Sequence, residues 1–336
     1  HYGDQNTLRV GIFYGSNWEV PGTVHYEILD QAIKKFESKY PNVKVEYEKG
    51  ILSNDYSEWL SEQILKGTEP DVYLVLDEDF NTLASLGALK NLDMLVGGDK
   101  EFDFNVFYSS VYKAGQYEGS QYALPMECNP TLMFVNKTLL QKEGIKVPDN
   151  DWTWDDFYDI CKTIVKDSDG DGQMDQFGCY DYTWLQAVYS NGITPFNQSG
   201  TSSNFLDEKF SQSLEFVKRL EATNRNYQVT SNDFDLGKVA FRPFTFSDYR
   251  TYMPYPWRIK KYSGFEWTCI RMPAGPSGDN RSEMSALMAG MSSRTEKKQC
   301  AWDFVKLLTT DTDIQKLVYE DTSAASVSVS YTHLTL

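Results

Sequence analysis

The chain has 336 residues, about twice the usual length of one domain, so two domains are expected and a single small domain is excluded. Apolar residues make up 41% and charged residues 24% of the chain. This composition is typical of globular proteins, and no apolar stretch approaches the ~18 residues of a membrane-spanning helix. With 32 basic and 48 acidic residues the net charge is −16, which repels phosphate backbones and argues against nucleic acid as a partner.

Histidine and cysteine usage excludes several classes of site. The histidines are few and scattered, which disfavours a histidine-based zinc site or a Ser-His-Asp triad. The five cysteines are an odd number without a CxxC pair, so they predict buried thiols rather than a disulfide framework. Aromatic residues, in contrast, reach 15%, which favours a flat ligand such as a sugar.

The first third of the chain alternates strands and helices. Hydrophobic periodicity predicts strands over 7–14, 43–48 and 71–76, and helices over 26–39 and 56–66. A strand-helix-strand-helix-strand order is typical of a parallel, doubly wound sheet with helices covering it.

Candidate binding residues follow the first and third predicted strands. Ligands of such sheets bind beyond the carboxyl ends of the strands, where this chain places Tyr14, Asn17 and Trp18, and then Asp77 and Glu78. Aromatic faces beside amide and carboxylate groups suit a sugar ring. The alternatives are that Trp18 covers a hydrophobic edge and that Asp77 caps the next helix.

The chain is expected to cross between domains near residues 119–136. Two strand-like runs in this range are interrupted by Pro125, Glu127 and the pair Asn129-Pro130. We place a hinge at this interruption. An extended run over 269–273, a strand over 286–291 and a helix over 295–308 predict the return crossing and a two-lobed protein.

The second domain contains an acidic loop with the spacing of a calcium site. A capping box at 153–156 opens an amphipathic helix, and the loop DSDGDGQMDQFG follows from Asp167. Acidic residues at its positions 1, 3, 5 and 9 and glycine at position 6 match most of a calcium loop, although Gly178 occupies position 12. The predicted structural metal ligands are Asp167, Asp169, Asp171, Gln173, Asp175 and Gln176, with an acidic solvated turn as the alternative.

Aromatic clusters interleaved with polar groups mark further candidate binding residues. Stacking rings beside carboxylates and guanidinium groups are typical of carbohydrate sites. The candidates are Tyr182, Trp184, Asp248, Tyr249, Arg250 and Trp257. A helix over 206–220 is assigned wholly to the core.

These segments, in this order, resemble a known family. KKFESKYPNVKVE from Lys34, TEPDVYLV from Thr68, YALPMECNPTLMFVNKTLL from Tyr122, the acidic loop and RTEKKQCAWDFVKLLT from Arg294 are similar to extracellular solute-binding proteins of family 1. These are the maltose-binding-protein-like receptors of ABC sugar importers. The resemblance implies an α/β, two-lobed periplasmic-binding-protein (Venus flytrap) fold of type II-like topology.

The resemblance also implies domain boundaries and a location. We expect an N-terminal lobe of 1–123 plus 280–312 and a C-terminal lobe of 124–279 plus 313–321. Residues 322–336 carry no helical pattern and are predicted to be an unstructured tail on a chain whose C-terminus is truncated. The family is extracellular or periplasmic, attached to the membrane only through an upstream lipid anchor, and this chain shows no leader. A monomer is expected.

The predicted function is non-enzymatic. The chain would bind a carbohydrate, with an oligosaccharide as the expected ligand, close by hinge motion and deliver its cargo to ABC permease subunits; Glu127 joins the implied binding residues. Two enzyme alternatives stay open: a thiaminase-like enzyme with Cys128 as nucleophile, and a glycosidase using Glu127 and Asp248. Other solutes, such as polyamines or phosphate esters, are a further alternative.

Overall fold

The structure, a computed structural model, describes residues 6–15, 17–18, 25–248, 264–322 and 327–328. Its strands are β1 (Asn6–Gly11), β2 (Val43–Tyr47), β3 (Val72–Val75), β4 (Gln116–Tyr117), β5 (Ser120–Gln121), β6 (Leu124–Asn136), β7 (Phe177–Cys179), β8 (Val239–Thr245), β9 (Trp267–Ile270) and β10 (Met284–Met291). Its helices are α1 (His25–Lys39), α2 (Tyr56–Lys66), α3 (Asp77–Ser85), α4 (Asp93–Gly98), α5 (Ser109–Lys113), α6 (Lys137–Lys142), α7 (Trp154–Ile164), α8 (Trp184–Ser190), α9 (Glu208–Ala222), α10 (Ser231–Asp235), α11 (Lys298–Thr310) and α12 (Thr312–Thr322).

The chain divides into two compact units. Among the described residues, unit 1 comprises those up to Asn129 and those from Ser285 onward, and unit 2 comprises Pro130–Met284. The two boundaries lie a few residues beyond the predicted ones at 123/124 and 279/280. The chain therefore leaves unit 1 within β6 and returns at the start of β10.

The assignment of residues 313–321 to the C-terminal lobe is wrong. These residues form most of α12, which belongs to unit 1. Ile314 and Val318 are buried in the hydrophobic core of that unit, and Lys35 of α1 forms ion pairs with Asp311 and Asp313. Burial of the apolar face of α12 against unit 1 is what decides its position.

Part of the predicted unstructured tail is ordered. Val327 and Ser328 are buried, the carbonyl of Val327 accepts a hydrogen bond from the Tyr108 amide at 3.2 Å, and Ser328 forms a β-bridge with Phe107. These two residues pack on unit 1. The rest of 323–336 lies outside the described residues.

Unit 1 is built on the predicted parallel sheet. β1 pairs in parallel with β2 on one side and β3 on the other, β10 joins β3 antiparallel, and β6 follows in the order β2-β1-β3-β10-β6. Buried runs such as Val72–Val75 leave both faces of the sheet apolar, as expected where helices cover both faces. α2 has the predicted bounds because Gly67 takes a left-handed conformation (φ 70°) that ends the helix.

The strand that connects the units is continuous, contrary to the predicted interruption. β6 runs for 13 residues through both prolines. Proline fixes φ near −65°, which an extended chain tolerates, and it removes only one ladder donor. The sequence signals at Pro125 and Pro130 therefore marked the crossing but not a break in the strand.

Unit 2 has its own sheet. β8 lies between β6, to which it is antiparallel, and β7, to which it is parallel, while β9 also pairs with β6. α7 begins with the predicted capping box at Thr153 and Asp156. α9 is not wholly core: Phe216 and Leu220 are buried, but Leu214 is exposed and Leu206 precedes the helix fully exposed.

The state of the cysteines and the lengths of the described helices agree with what the sequence predicted. All five cysteines are free and buried, as predicted. Within the described parts of the chain, no helix has both the length and the apolarity that crossing a bilayer requires.

Candidate functional site

In unit 1 the candidate residues gather at the carboxyl edge of the parallel strands. The register of β1 with β3 pairs Val10 with Val72 and Gly11 with Tyr73. Because the strands are parallel, the segments that follow them emerge at the same edge. The residues predicted after β1 and after β3 therefore belong to one surface.

The segment after β1 presents one exposed ring and one that is partly buried. Tyr14 is 46% exposed, and its backbone is held by a parallel bridge to Leu52. Trp18 packs partly buried against the core of unit 1, and Asn17 is half-buried. Trp18 thus covers a hydrophobic edge while keeping part of its surface accessible.

The segment after β3 supplies carboxylates. Asp77 and Glu78 are exposed and form the first turn of α3 together with Asp79. Negative charge at a helix N-terminus is favoured by the helix dipole. Asp79 is partly buried and accepts a short hydrogen bond from Ser57, and Asp77 and Glu78 are the more exposed carboxylates of this turn.

Two tyrosines at the same edge were not predicted. Tyr26, in the first turn of α1, lies 5.6 Å from Tyr14 and 5.4 Å from Tyr47, measured between ring centroids. We call Tyr14, Tyr26 and Tyr47 the tyrosine cluster. The available signal was that Tyr47 ends β2, a third parallel strand whose carboxyl end meets the same edge.

Glu127 and Cys128 lie inside β6 and are both buried. Burial raises the pKa of the Cys128 thiol to about 12, so the thiol is protonated at neutral pH. A nucleophilic cysteine requires the opposite shift. The geometry disfavours Cys128 as the nucleophile of a thiaminase-like reaction.

The loop after β7 divides the predicted residues of unit 2. Tyr182 is 5% exposed and packs edge-to-face on Phe157 at 5.0 Å, so it is a core residue rather than a surface platform. Trp184 is 41% exposed at the start of α8, beside Phe210. A cavity of about 680 Å³ opens along the part of this loop that precedes Trp184 and is lined by Asp181, Tyr182 and Thr183.

The other aromatic cluster is described only in part. Asp248 is half-buried and its carboxylate accepts a 2.8 Å hydrogen bond from the Thr245 hydroxyl, at the carboxyl end of β8. The predicted residues Tyr249, Arg250 and Trp257 lie outside the described residues.

The acidic loop of unit 2 brings three carboxylates together. Asp167, Asp169 and Asp175 offer oxygen atoms within 4.8 Å of one another. An antiparallel bridge between Lys166 and Gln176 closes the loop. Oxygens that surround one calcium ion at ~2.3–2.6 Å lie within about 5 Å of each other, so this spacing fits the ion.

Backbone amides stabilise the charged form of Asp167, whereas the neighbouring carboxylates destabilise the charged form of Asp169. Hydrogen bonds from Gly172 and Gly170 hold the pKa of Asp167 below its usual value. The Asp171 amide also favours the charged form of Asp169, but desolvation and the adjoining Asp167 carboxylate raise the pKa of Asp169 overall. A divalent cation between these groups would relieve that repulsion.

The other three predicted ligands, Asp171, Gln173 and Gln176, are not part of the group of converging carboxylates. The Gln176 amide nitrogen donates to the Ile164 carbonyl at 3.0 Å and to Glu143, and its oxygen accepts from Lys142. These bonds direct the side chain away from the loop, which corrects its predicted role. The Asp171 carboxylate accepts a hydrogen bond from the backbone amide of Gln173 and is not one of the three converging carboxylates. Gln173 stands at position 7 of the calcium-loop spacing, where the ligand is a backbone carbonyl rather than a side chain.

Comparison with known proteins identifies a family model and a relative that match this chain. The family model for bacterial extracellular solute-binding proteins matches residues 21–314. The "Multiple sugar-binding protein" of Streptococcus mutans is 28% identical over 138 residues, which cover 40% of this chain and 30% of that protein. The alignment thus spans less than a third of that relative's length.

Two solved structures illustrate the structural likeness. An ABC substrate-binding protein from Listeria monocytogenes in complex with cycloalternan has a TM-score of 0.64 at 22% identity, covering 97% of this chain and 81% of its own. The sugar-binding protein MalE from Xanthomonas citri has a TM-score of 0.76 at 17% identity, covering 96% and 80%. At these identities the likeness concerns the fold, which confirms the predicted two-lobed periplasmic-binding-protein class.

The family match spans most of the chain, and both described units contribute to it. The α/β units, the strand β6 that crosses between them and the parallel pairing of β1 with β2 agree with that match. The chain therefore belongs to the family of bacterial extracellular solute-binding proteins.

Proposed function

We propose that the protein is the substrate-binding component of an ABC importer and that its ligand is an oligosaccharide. The observation that supports this most is the carboxyl edge of unit 1, where exposed Tyr14 and partly buried Trp18 lie at the same sheet edge as the exposed carboxylates Asp77 and Glu78. Rings stack on the C–H faces of sugars while carboxylates accept hydroxyl protons. Two of the similar proteins are described as sugar-binding and a third was solved with a cyclic oligosaccharide.

Membership of the family supports a role in transport. Ligand binding would bias a hinge at the strands that connect the units toward a closed form, which permease subunits recognise. Such a protein works extracellularly or in the periplasm, as a monomer tethered through a lipid anchor upstream of this sequence. Binding without chemistry suits the protonated Cys128 thiol and the full burial of Glu127.

Titration with sugars tests this function. Tryptophan fluorescence and the thermal midpoint would be recorded across mono- and oligosaccharides, with putrescine and a sugar phosphate as the competing ligand classes. A ligand at a hundredfold excess over its Kd stabilises the protein by about 2.7 kcal/mol, and we expect this for an oligosaccharide. Tyr14→Ala and Asp77→Asn should weaken that response, whereas Leu65→Ala, an exposed side chain of α2, should not. A saturable response to putrescine alone would contradict the proposal.

We propose in addition that the acidic loop holds a structural calcium ion. Asp167, Asp169 and Asp175 would hold it, because their oxygens already converge within 4.8 Å. The ion would neutralise the repulsion among these carboxylates and brace the loop that connects α7 to β7. Protein oxygens supply its ligands and no catalytic role is implied.

Removal of calcium should lower the thermal midpoint of unit 2. At a hundredfold excess over its Kd, calcium contributes about 2.7 kcal/mol, a shift of several degrees for a unit of this size. Calorimetry in calcium and then in chelator measures the shift. Asp169→Asn should abolish it, while Asp151→Asn, an exposed aspartate outside the loop, should preserve it. Equal midpoints of the wild type in calcium and in chelator would refute a calcium site.

A further inference from the structure

Within the tyrosine cluster, Tyr26 and Tyr47 lie beyond the residues already assigned to ligand binding, and Tyr14 joins them to those residues. We propose that the cluster forms an additional subsite of unit 1 that binds one further pyranose ring of a longer oligosaccharide. The inference rests on the proposed function and extends it, because it assigns ligand contacts to Tyr26, Tyr47, Asp30 and Lys49. It therefore predicts a preference for chain length.

Three separate segments hold the cluster in place. Tyr14 follows β1, Tyr26 begins α1 and Tyr47 ends β2. The ring centroids are 5.6 Å and 5.4 Å apart, with tilts of 59° and 48° between neighbouring planes. The Tyr14 amide donates to the Ile51 carbonyl at 2.6 Å, which ties the loop after β2 to the loop after β1.

The surface is aromatic but not closed. Tyr14 is 46% exposed and Leu52 beside it is 53% exposed, while Tyr26 and Tyr47 are half-buried. A tilted, partly exposed row of rings offers edges and faces on which the C–H groups of a sugar can pack.

Polar groups surround the rings in the pattern that sugar hydroxyls require. The Tyr26 hydroxyl accepts a hydrogen bond from the Gly50 amide at 2.7 Å, which leaves its own proton to donate. Exposed Asp30 accepts from the Tyr47 hydroxyl at 2.6 Å and retains further lone pairs. The Lys49 ammonium lies 5.7 Å from the Tyr47 ring centroid and adds donors. Donors and acceptors thus flank an apolar face.

The tyrosine cluster lies where it could extend the proposed sugar site formed by Trp18, Asp77 and Glu78. β2 pairs with β1 on the side opposite to β3, so the residues that end β2 lie next to Tyr14 and farther from Asp77. A sugar chain that begins at Trp18 and Asp77 would reach the cluster only after adding units along this edge. Short sugars would leave Tyr26 and Tyr47 without a ligand contact.

Calorimetric titration with sugars of increasing length tests the inference. The probes are maltose through maltohexaose and cellobiose through cellohexaose, which vary length and linkage. We expect the wild-type affinity to rise when the chain becomes long enough to reach the cluster. Tyr47→Ala and Asp30→Asn should weaken binding of these longer sugars by about two- to tenfold and leave the Kd of the shortest bound sugar unchanged.

The controls distinguish failure of the proposed function from failure of the additional subsite. Leu65→Ala, at the end of α2 that leads into β3 and thus at the opposite edge of the sheet, should match the wild type for every sugar. Lys49→Ala replaces an exposed side chain and tests the subsite even if Tyr47→Ala does not fold. If the wild type binds no sugar, the proposed function fails and the subsite with it. If it binds sugars without regard to length, or if the folded variants bind long sugars normally, only the subsite is overturned.

Discussion

Replacing Trp302 with alanine is expected to lower the unfolding free energy of unit 1 by about 3–5 kcal/mol, as for other large aromatic residues in cores. Trp302 is completely buried in α11 and packs edge-to-face on Phe102 at 5.2 Å. Truncation leaves a cavity that close-packed neighbours fill only in part.

The same substitution also removes a hydrogen bond to a charged group. The Trp302 indole donates to the Asp99 carboxylate at 2.9 Å, and Lys306 donates to the same oxygen at 2.5 Å. Burial opposes the charged form of Asp99, yet these donors hold the pKa of its carboxyl below the usual value. Loss of one donor leaves a partly buried carboxylate less well compensated.

Trp302→Phe is an intermediate variant. It keeps one aromatic ring but loses the indole N–H together with part of the fused ring, so we expect a loss of about 1–3 kcal/mol, smaller than that of Trp302→Ala, which removes the whole ring system. Urea unfolding followed by far-ultraviolet circular dichroism measures both variants without relying on the fluorescence of the replaced residue. A loss below about 1 kcal/mol for Trp302→Ala would contradict the packing described here.

Gly115→Ala is expected to cost about 3 kcal/mol, at the upper end of the usual range for overpacking. A Cβ atom at Gly115 would lie 2.0 Å from the Ala123 carbonyl oxygen and 2.7 Å from the Gln121 amide nitrogen. That amide donates to the carbonyls of Tyr112 and Ala123. The obstacle is backbone and a buried hydrogen-bond network, so a side-chain rotation cannot relieve the clash.

Gly97→Ala is the matched control. Gly97 lies in α4, and nothing approaches within 4 Å of the position of its Cβ. Alanine in a helix is favoured over glycine by up to about 1 kcal/mol, so this variant should be neutral or slightly more stable than the wild type. Thermal and urea unfolding of the two variants side by side provide the comparison. Equal stability of Gly115→Ala and Gly97→Ala would show that the backbone around Gly115 can yield.

The local elements could be predicted where a periodic pattern and a stop signal coincide. The helix over 56–66 has the predicted bounds because its apolar stripe ends at Gly67. The capping box at Thr153 and the acidic loop after it are also local, since hydrogen bonds within a few residues produce them. Such features depend little on the rest of the chain.

Predictions that required knowledge of burial were less accurate. Tyr182 lies in an aromatic segment that predicted a binding residue, yet its ring packs in the core against Phe157 and Phe216. Leu206 and Leu214 continue an apolar stripe, but they lie at the surface. Hydrophobic periodicity reports which face is apolar and not what covers it.

The amino-acid sequence alone determined the class of the protein: parallel strands alternating with helices, a crossing segment near Pro125 and Pro130, an acidic loop with calcium spacing and a family resemblance that the family match confirms. Only the tertiary structure decided which residues meet. Strand register brought Tyr47 beside Tyr26 and Tyr14, and hydrogen bonds directed Gln176 away from the acidic loop. The physical reason is that short-range preferences act along the chain, whereas a binding surface arises from side chains distant in sequence that packing brings together.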